Sequence, residues 1–116
     1  MTTATTLYGI KNCDTVKKAR QWLDQHQIAY HFHDFRQDGI GRAEVEQWIK
    51  QLGWETVVNK RSTSWKELTP AKREAMDAAT AATAILENPT LVKRPLLALN
   101  GQFSVGFKAA DYQEKF

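Results

Sequence analysis

The stretch TTLYGIKNCDTVKKARQWL, residues 5–23, decides the fold. Residues 5–10 are rich in β-branched and aromatic side chains and end at the polar cluster KNCDT, residues 11–15. This pattern predicts a short buried strand followed by a loop. The apolar residues that follow have the spacing of one face of an amphipathic helix. They are Val16, Ala19, Trp22 and Leu23. We therefore expect a strand, a cysteine-bearing loop and a helix that Asp14 or Thr15 can cap.

A second strand and a helical block follow this unit. Alternating side chains predict a strand over residues 28–35, and strand–helix–strand with one crossover helix is a parallel βαβ unit. Apolar residues at i, i+3, i+4 and i+7 predict a helix over residues 45–52 that ends at Gly53. Thr69-Pro70 is typical of an N-cap with proline in the first turn, opening a helix toward Asp77. A further helix is expected over residues 78–87, where Asn88-Pro89 stops it.

The last third of the chain returns to β structure. Asn100-Gly101 lies between the apolar runs 96–99 and 102–105, which is a strong signal for a hairpin. Residues 109–116 are expected to form a short terminal helix. The order βαβ, helical block, ββα predicts an α/β protein with a mixed sheet of four strands.

Composition limits the possible functions. The 116 residues fit a single domain, since domains commonly have about 100–150 residues, and 42% of them are hydrophobic. One cysteine excludes an internal disulfide and a four-cysteine zinc site. A net charge of +3 does not by itself indicate nucleic acid binding. The N-terminus lacks the pattern of a signal peptide, and no apolar run approaches the roughly 18 residues of a membrane span. We expect a cytoplasmic protein without membrane or nucleic acid partners.

Cys13 is the candidate for chemistry. It follows a strand and lies just before, or at, the start of a helix, where unpaired N–H groups and the helix dipole favour an anion. This placement predicts a lowered thiol pKa and a nucleophilic thiolate. The alternative is an inert buried cysteine, because free cysteine is among the most buried residue types. The local pattern leaves both interpretations open.

The spacing around Cys13 excludes several cysteine chemistries. Position 16 is valine, so there is no Cys-x-x-Cys pair, and a redox cycle needs an external thiol, for which glutathione is the abundant cytosolic candidate. A phosphatase loop would need arginine six positions after the cysteine, where this chain has Ala19. His31 and His33 are better explained by packing than by a cysteine hydrolase or a zinc site, because the ligand spacing of a metal motif is missing. We expect no metal.

Two arginines are candidate anion ligands. Arg94 precedes Pro95 at the entry to the third strand, where its planar fork could face an anion; a surface arginine before a turn is the plainer reading. An X-Pro bond at such a place can be cis. Residues 60–65, KRSTSW, form a polar, basic segment that we interpret as a loop.

Taken together, the segments LYGIKNCDT (7–15), NKRSTSW (59–65) and KRPL (93–96) resemble the arsenate reductase-related ArsC/Spx family, in its YffB-like branch. The resemblance spans essentially the whole chain in order. It implies a thioredoxin-like fold in a single domain, residues 1–116, with a helical insertion at roughly 41–88 between the βαβ and ββα halves.

The resemblance also implies an activity and a site. Cys13 matches the catalytic cysteine of the family, Arg94 the arginine before the cis-proline, and Pro95 that proline. Arg61 or Lys60 matches the arginine of the middle loop. The implied function is a glutathione-dependent thiol reductase without a tightly bound cofactor, in which glutathione is a co-substrate and glutaredoxin and a small oxidised substrate are further partners. We expect a monomer in which Asn12 and Thr15 flank the sulfur and donate hydrogen bonds to it.

Two other functions occur in the family. Its arsenate reductases carry a third arginine after the hairpin, where this chain has VGFKA, residues 105–109. A compact oxyanion needs several fixed donors, so the missing arginine counts against arsenate as the substrate. The family's regulator branch, Spx, binds RNA polymerase and often carries a Cys-x-x-Cys pair. The single cysteine counts against that non-catalytic function.

Overall fold

The computed structural model describes residues 5–116. Its strands are β1 (Thr5–Gly9), β2 (His31–Asp34), β3 (Leu96–Leu99) and β4 (Gln102–Val105). Its helices are α1 (Asp14–Gln25), α2 (Phe35–Asp38), α3 (Arg42–Leu52), α4 (Trp54–Val57), α5 (Thr63–Glu67), α6 (Pro70–Glu74), α7 (Ala78–Glu87) and α8 (Ala109–Lys115), with a 3₁₀ turn at Pro89–Leu91. Residues 1–4, part of the stretch in which we expect no signal peptide, lie outside the described residues. No helix within residues 5–116 is long and apolar enough to cross a membrane.

The chain divides into two compact units. The first contains the described residues up to Asp38 together with Arg94–Phe116, and the second is Gly39–Lys93. The first unit carries the four-stranded sheet, in the order β2-β1-β3-β4. β1 pairs with β2 in parallel and with β3 antiparallel, and β3 pairs with β4 antiparallel. This mixed sheet, with βαβ and ββα halves, confirms the predicted thioredoxin-like fold.

The core of the first unit lies between the sheet, α1 and α8. The predicted apolar face of α1 contributes Ala19 and Leu23, which pack with Leu7 of β1 and Leu97 of β3. Tyr112 of α8 completes this buried cluster. The helix therefore forms where its apolar spacing allows it to cover β1, as the sequence predicts.

β2 is shorter than the expected strand over residues 28–35. At its start, Ile28 donates its N–H to Leu23 O (3.0 Å), so it still belongs to the turn that ends α1. At its end, the Asp34 side chain accepts the N–H of Arg36 (2.8 Å), which turns the chain into α2 at Phe35. Local hydrogen bonds thus override strand propensity at both ends.

The hairpin between β3 and β4 is as predicted. Asn100 and Gly101 occupy its turn with φ of 52° and 81°, the left-handed region that a two-residue hairpin loop requires. The hairpin aligns Leu96 with Val105 and Leu99 with Gln102.

The second unit is helical, with one isolated antiparallel bridge between Val58 and Val92. α3 ends at Gly53 and α7 ends before Asn88, as expected. α6 begins with Thr69 Oγ1 accepting the N–H of Lys72 (3.2 Å), which confirms the predicted cap.

The segment 60–65 is not the uninterrupted loop expected from its polarity. Ser62 accepts the N–H of Trp65 (3.1 Å) through its hydroxyl and starts α5 at Thr63. This correction follows from a serine cap, which a short polar segment conceals.

Candidate active site

Cys13 occupies the N-cap position of α1. Its carbonyl accepts the N–H of Lys17 (2.9 Å), the first hydrogen bond of the helix, and its own backbone is extended. The cap is therefore Cys13 itself, and the expectation that Asp14 or Thr15 caps the helix is wrong. No side chain caps the first turn, whose amides have no partner within the helix. Cys13 is partly exposed and lies at the helix end where backbone N–H groups favour an anion, and its side chain makes no cap hydrogen bond to them.

Asn12 and Thr15 lie on either side of this cap, and both are exposed. Within residues 5–116 neither side chain forms a hydrogen bond. They lie in the same loop and first helical turn as Cys13, as the sequence requires. Their predicted role as donors to the sulfur stays a prediction.

Arg94 and Pro95 lie at the same end of the sheet as the cysteine loop. β1 and β3 are antiparallel, with Tyr8 opposite Leu96, so the register brings Pro95 next to the end of β1. The Arg94–Pro95 peptide bond is cis, as the resemblance implied. Pro95 is buried and its carbonyl accepts the N–H of Gly106 (2.8 Å), while Arg94 is partly exposed. The sheet therefore presents an arginine and a cysteine at one end.

Arg61 belongs to the second unit, in the turn between α4 and α5. It is exposed, and its N–H donates to Asn59 Oδ1 (3.0 Å). Its neighbour Lys60 has a different environment, because the Lys60 ammonium lies 5.3 Å from the Trp54 ring centre and 5.8 Å from that of Trp65. The two candidates for the middle-loop cation therefore differ. The Lys60 ammonium lies over two indole rings, whereas the Arg61 guanidinium makes no hydrogen bond, ion pair or ring contact within the described residues.

His31 and His33 lie on β2, which runs parallel to β1, and they are opposite Thr6 and Tyr8 of β1. His33 pairs with Tyr8 across the sheet, and the two rings lie 4.8 Å apart. The rings of the two histidines are 6.3 Å apart. In the part of the chain that the structure describes, no three His, Cys, Asp or Glu side chains group in a way that could hold a metal ion.

Position 107, in the segment where the family's arsenate reductases carry arginine, has a packing role here. The Phe107 ring lies edge-on to the Tyr112 ring with centres 4.8 Å apart, against the core of the first unit. Lys108 is exposed and caps α8 through its carbonyl, which accepts the N–H of Tyr112 (3.1 Å). Phe107 thus fills space in the core instead of supplying a third guanidinium.

Sequence reasoning missed Asp34. This carboxylate is 4% exposed and accepts the backbone N–H of Lys11 (3.3 Å), two residues before the cysteine. Its one sequence signal is an acidic residue at the end of a predicted strand, which gives no hint of a partner 23 residues away.

A family model described as the ArsC family matches residues 8–115, which includes every predicted site residue. The chain belongs to the ArsC family. An uncharacterized protein of Haemophilus influenzae is 46% identical over 111 residues, covering 96% of this chain and 97% of its own. A solved structure of a protein named YFFB has 44% identity and a TM-score of 0.92, with 96% and 97% of the two chains covered.

Further relatives carry functional names. An arsenate reductase-related protein of Brucella melitensis is 42% identical, with a TM-score of 0.79 and 96% and 92% of the chains covered. The global transcriptional regulator Spx of Streptococcus agalactiae is 27% identical over 104 residues, which are 88% of this chain and 75% of Spx. This ArsC-family protein is thus related both to proteins named for a reductase and to proteins named for regulation.

Proposed function

We propose that this protein is a glutathione-dependent thiol reductase with Cys13 as its nucleophile. One observation carries the proposal: the lone cysteine forms the N-cap of α1, at the end of the sheet where Arg94 precedes β3. Amide groups at a helix N-terminus favour a thiolate, which is the attacking form in thiol–disulfide exchange. Membership of the ArsC family supports a thiol reductase and does not specify the substrate.

The chemistry needs two exchanges. The Cys13 thiolate attacks the glutathione sulfur of a small mixed disulfide, a new S–S bond forms to Cys13, and the substrate leaves as a thiolate that takes a proton from water. The thiolate of a second glutathione then attacks the Cys13 mixed disulfide. Oxidised glutathione leaves and the Cys13 thiolate is restored. With one cysteine in the chain, the second thiol has to come from outside, from glutathione or from glutaredoxin.

The proposed binding residues fit an anionic tripeptide. The Arg94 guanidinium is suited to binding a glutathione carboxylate. The backbone N–H and carbonyl of Arg94 form no hydrogen bond to another described residue. A peptide of the ligand can therefore pair with this backbone as an added strand segment. We propose Arg61 as a second cation for the same ligand, with Asn12 and Thr15 as donors to the sulfur. We further propose a monomer that works in the cytoplasm, where glutathione is abundant.

Intact-mass spectrometry tests the nucleophile. Exposure to oxidised glutathione should add about 305 mass units in a single step, the mass of one glutathione less the two hydrogens lost when the disulfide forms. The adduct should disappear with reduced glutathione and be missing in Cys13→Ser. Turnover of a small glutathione mixed disulfide, coupled to glutathione reductase, gives the activity. A wild-type protein that neither forms the adduct nor turns over would refute the proposal.

Arsenate reduction is the alternative within the family, and the Brucella melitensis relative carries that name. Packing of Phe107 against Tyr112 weighs against it, because the segment supplies no third arginine. Arsenate turnover with glutathione and glutaredoxin at the rate of disulfide turnover would favour arsenate instead. The non-catalytic alternative, a regulator like Spx, predicts a stable complex with RNA polymerase that survives Cys13→Ser.

A further inference from the structure

Asp34 is a buried carboxylate whose hydrogen bonds divide between two parts of the chain. It is 4% exposed, and a buried carboxylate is tolerated only when its oxygens have partners. Oδ1 accepts the N–H groups of Arg36 (2.8 Å) and Gln37 (3.3 Å), and Oδ2 accepts that of Lys11 (3.3 Å). One oxygen thus holds the turn into α2, and the other holds the loop that leads to Cys13.

The contact with Lys11 spans 23 residues and is not needed for the turn. β1 and β2 are parallel, with Gly9 opposite Asp34, so the acid lies beside the point where β1 ends. Asn12 alone separates Lys11 from Cys13. On its other side, Cys13 forms the N-cap of α1, and its carbonyl accepts the N–H of Lys17 (2.9 Å). The short cysteine loop is therefore held at both ends, by a carboxylate and by a helix.

We propose that Asp34 is the positioning residue of the Cys13 thiolate, an inference that rests on the proposed reductase function. By holding the Lys11 amide, it sets the path of the loop and so keeps Cys13 at the N-cap position of α1. A carboxylate is required because both of its oxygens accept hydrogen bonds. An asparagine would place an NH₂ group against one of the two sets of backbone N–H groups.

The test compares Asp34→Asn with Asp38→Asn. Asp38 lies in the same turn and accepts the N–H of Asp34 (3.0 Å), so its replacement removes the same charge and disturbs the same turn without touching the loop. The rate at which Cys13 forms its mixed disulfide should be measured at saturating oxidised glutathione. It should fall about 3- to 10-fold in Asp34→Asn, the range expected for loss of one hydrogen bond. The half-saturating concentration should stay unchanged, because Arg94 and Pro95 are untouched. Asp38→Asn should react like wild type.

Hydrogen exchange gives a readout that is independent of activity. The Lys11 amide should exchange faster in Asp34→Asn and keep its protection in Asp38→Asn. Asp34→Ser is the second variant if Asp34→Asn does not fold, since a serine hydroxyl can hold the local turn and cannot reach the loop.

The outcomes separate the two proposals. If wild-type protein forms no mixed disulfide, the reductase function fails whatever Asp34 does. If wild type reacts and the folded Asp34 variants react as fast as Asp38→Asn, Asp34 has no positioning role and the inference alone is overturned. An unchanged exchange rate at Lys11 would overturn it as well.

Discussion

A Cβ atom placed on Gly9 would lie 2.7 Å from Val16 Cγ2. Real Cβ atoms do not approach a neighbour so closely. The backbone of Gly9, the last residue of β1, is therefore packed tightly against the Val16 side chain in the first turn of α1. Glycine is needed at position 9, because any side chain there would occupy the space that Val16 fills. This close approach joins the end of β1 to the helical turn that directly follows the N-cap residue Cys13.

Gly9→Ala should destabilise the protein by about 1–3 kcal/mol, the usual cost of overpacking a filled core. Urea unfolding measures this change. In a Val16→Ala background the added methyl group has room, so the same substitution should cost much less there. An equal cost in both backgrounds would show that Val16 is not the neighbour that matters. Alkylation of Cys13 should also slow in Gly9→Ala, because we expect the clash with Val16 to displace the first turn of α1.

Local sequence patterns were sufficient to predict the long elements of this fold. α1 and α3 have twelve and eleven residues, so their apolar spacing extends over several turns, whereas α7 was predicted from its alanines and from Asn88-Pro89 at its end. The hairpin followed from Asn100-Gly101, whose backbone needs are local. α2, α4 and α5 have four or five residues, too few for any repeat to be visible. They form because a side chain or the preceding turn supplies the first hydrogen bond.

The candidate site was predictable only where its residues are neighbours in sequence or carry a family motif. Cys13 after a strand was such a case. The Asp34–Lys11 hydrogen bond was not, because it depends on which strands become neighbours in the folded sheet. Lys60 and Arg61 could not be told apart either, since their difference arises from Trp54 and Trp65 on two separate helices.

Lys60 and Arg61 should respond differently to alanine substitution, although each loses one positive charge. The Lys60 ammonium lies over two indoles and 4.0 Å from Glu55, so Lys60→Ala should cost about 0.5–1 kcal/mol of stability and alter tryptophan emission. Arg61→Ala should leave stability unchanged and raise the glutathione concentration needed for half-maximal turnover. If Lys60→Ala weakened glutathione binding and Arg61→Ala did not, Lys60 would be the cation that binds glutathione.

Asp77 should make the second unit sensitive to acid. Thr80 donates two hydrogen bonds to Asp77 Oδ1, one from the Thr80 backbone N–H (2.9 Å) and one from the Thr80 hydroxyl. These hydrogen bonds hold the pKa of the Asp77 carboxyl below its ordinary value of 3.8. A depressed folded-state pKa means that the unfolded chain takes up the proton first, so stability is full above pH 3.8 and falls as the pH drops below it.

Unfolding measured between pH 2 and 6 checks this. Asp77→Asn retains a capping oxygen and should lose part of the acid sensitivity, while Asp77→Ala loses the cap and should have a lower melting temperature at every pH. Thr80→Val should also reduce the acid sensitivity, because it removes both the hydroxyl that donates to Asp77 Oδ1 (3.1 Å) and the oxygen that accepts the N–H of Asp77 (2.8 Å). Identical acid profiles for wild type and Asp77→Asn would contradict the assignment.

Tyr112 should limit stability at high pH. Its hydroxyl is buried and forms no hydrogen bond within the described residues, and burial raises the pKa of Tyr112 above its ordinary value of 10.0. A raised pKa means that the unfolded chain loses this proton first. The stability contribution is therefore complete below pH 10 and is lost as the pH rises through and beyond that value.

Tyr112→Phe removes the unpartnered hydroxyl and keeps the ring between Trp22 and Phe107. We expect it to be at least as stable as wild type at pH 7, with a gain of up to about 1 kcal/mol, and to resist alkaline unfolding better, since a buried donor without a partner is costly. Tyr30→Phe is the control, because the Tyr30 hydroxyl accepts a hydrogen bond from Arg20 Nε (3.1 Å) and its loss should cost about 0.5–1.5 kcal/mol. If Tyr112→Phe were the less stable of the two at pH 7, the hydroxyl would have to have a partner, and its burial would not explain the alkaline limit.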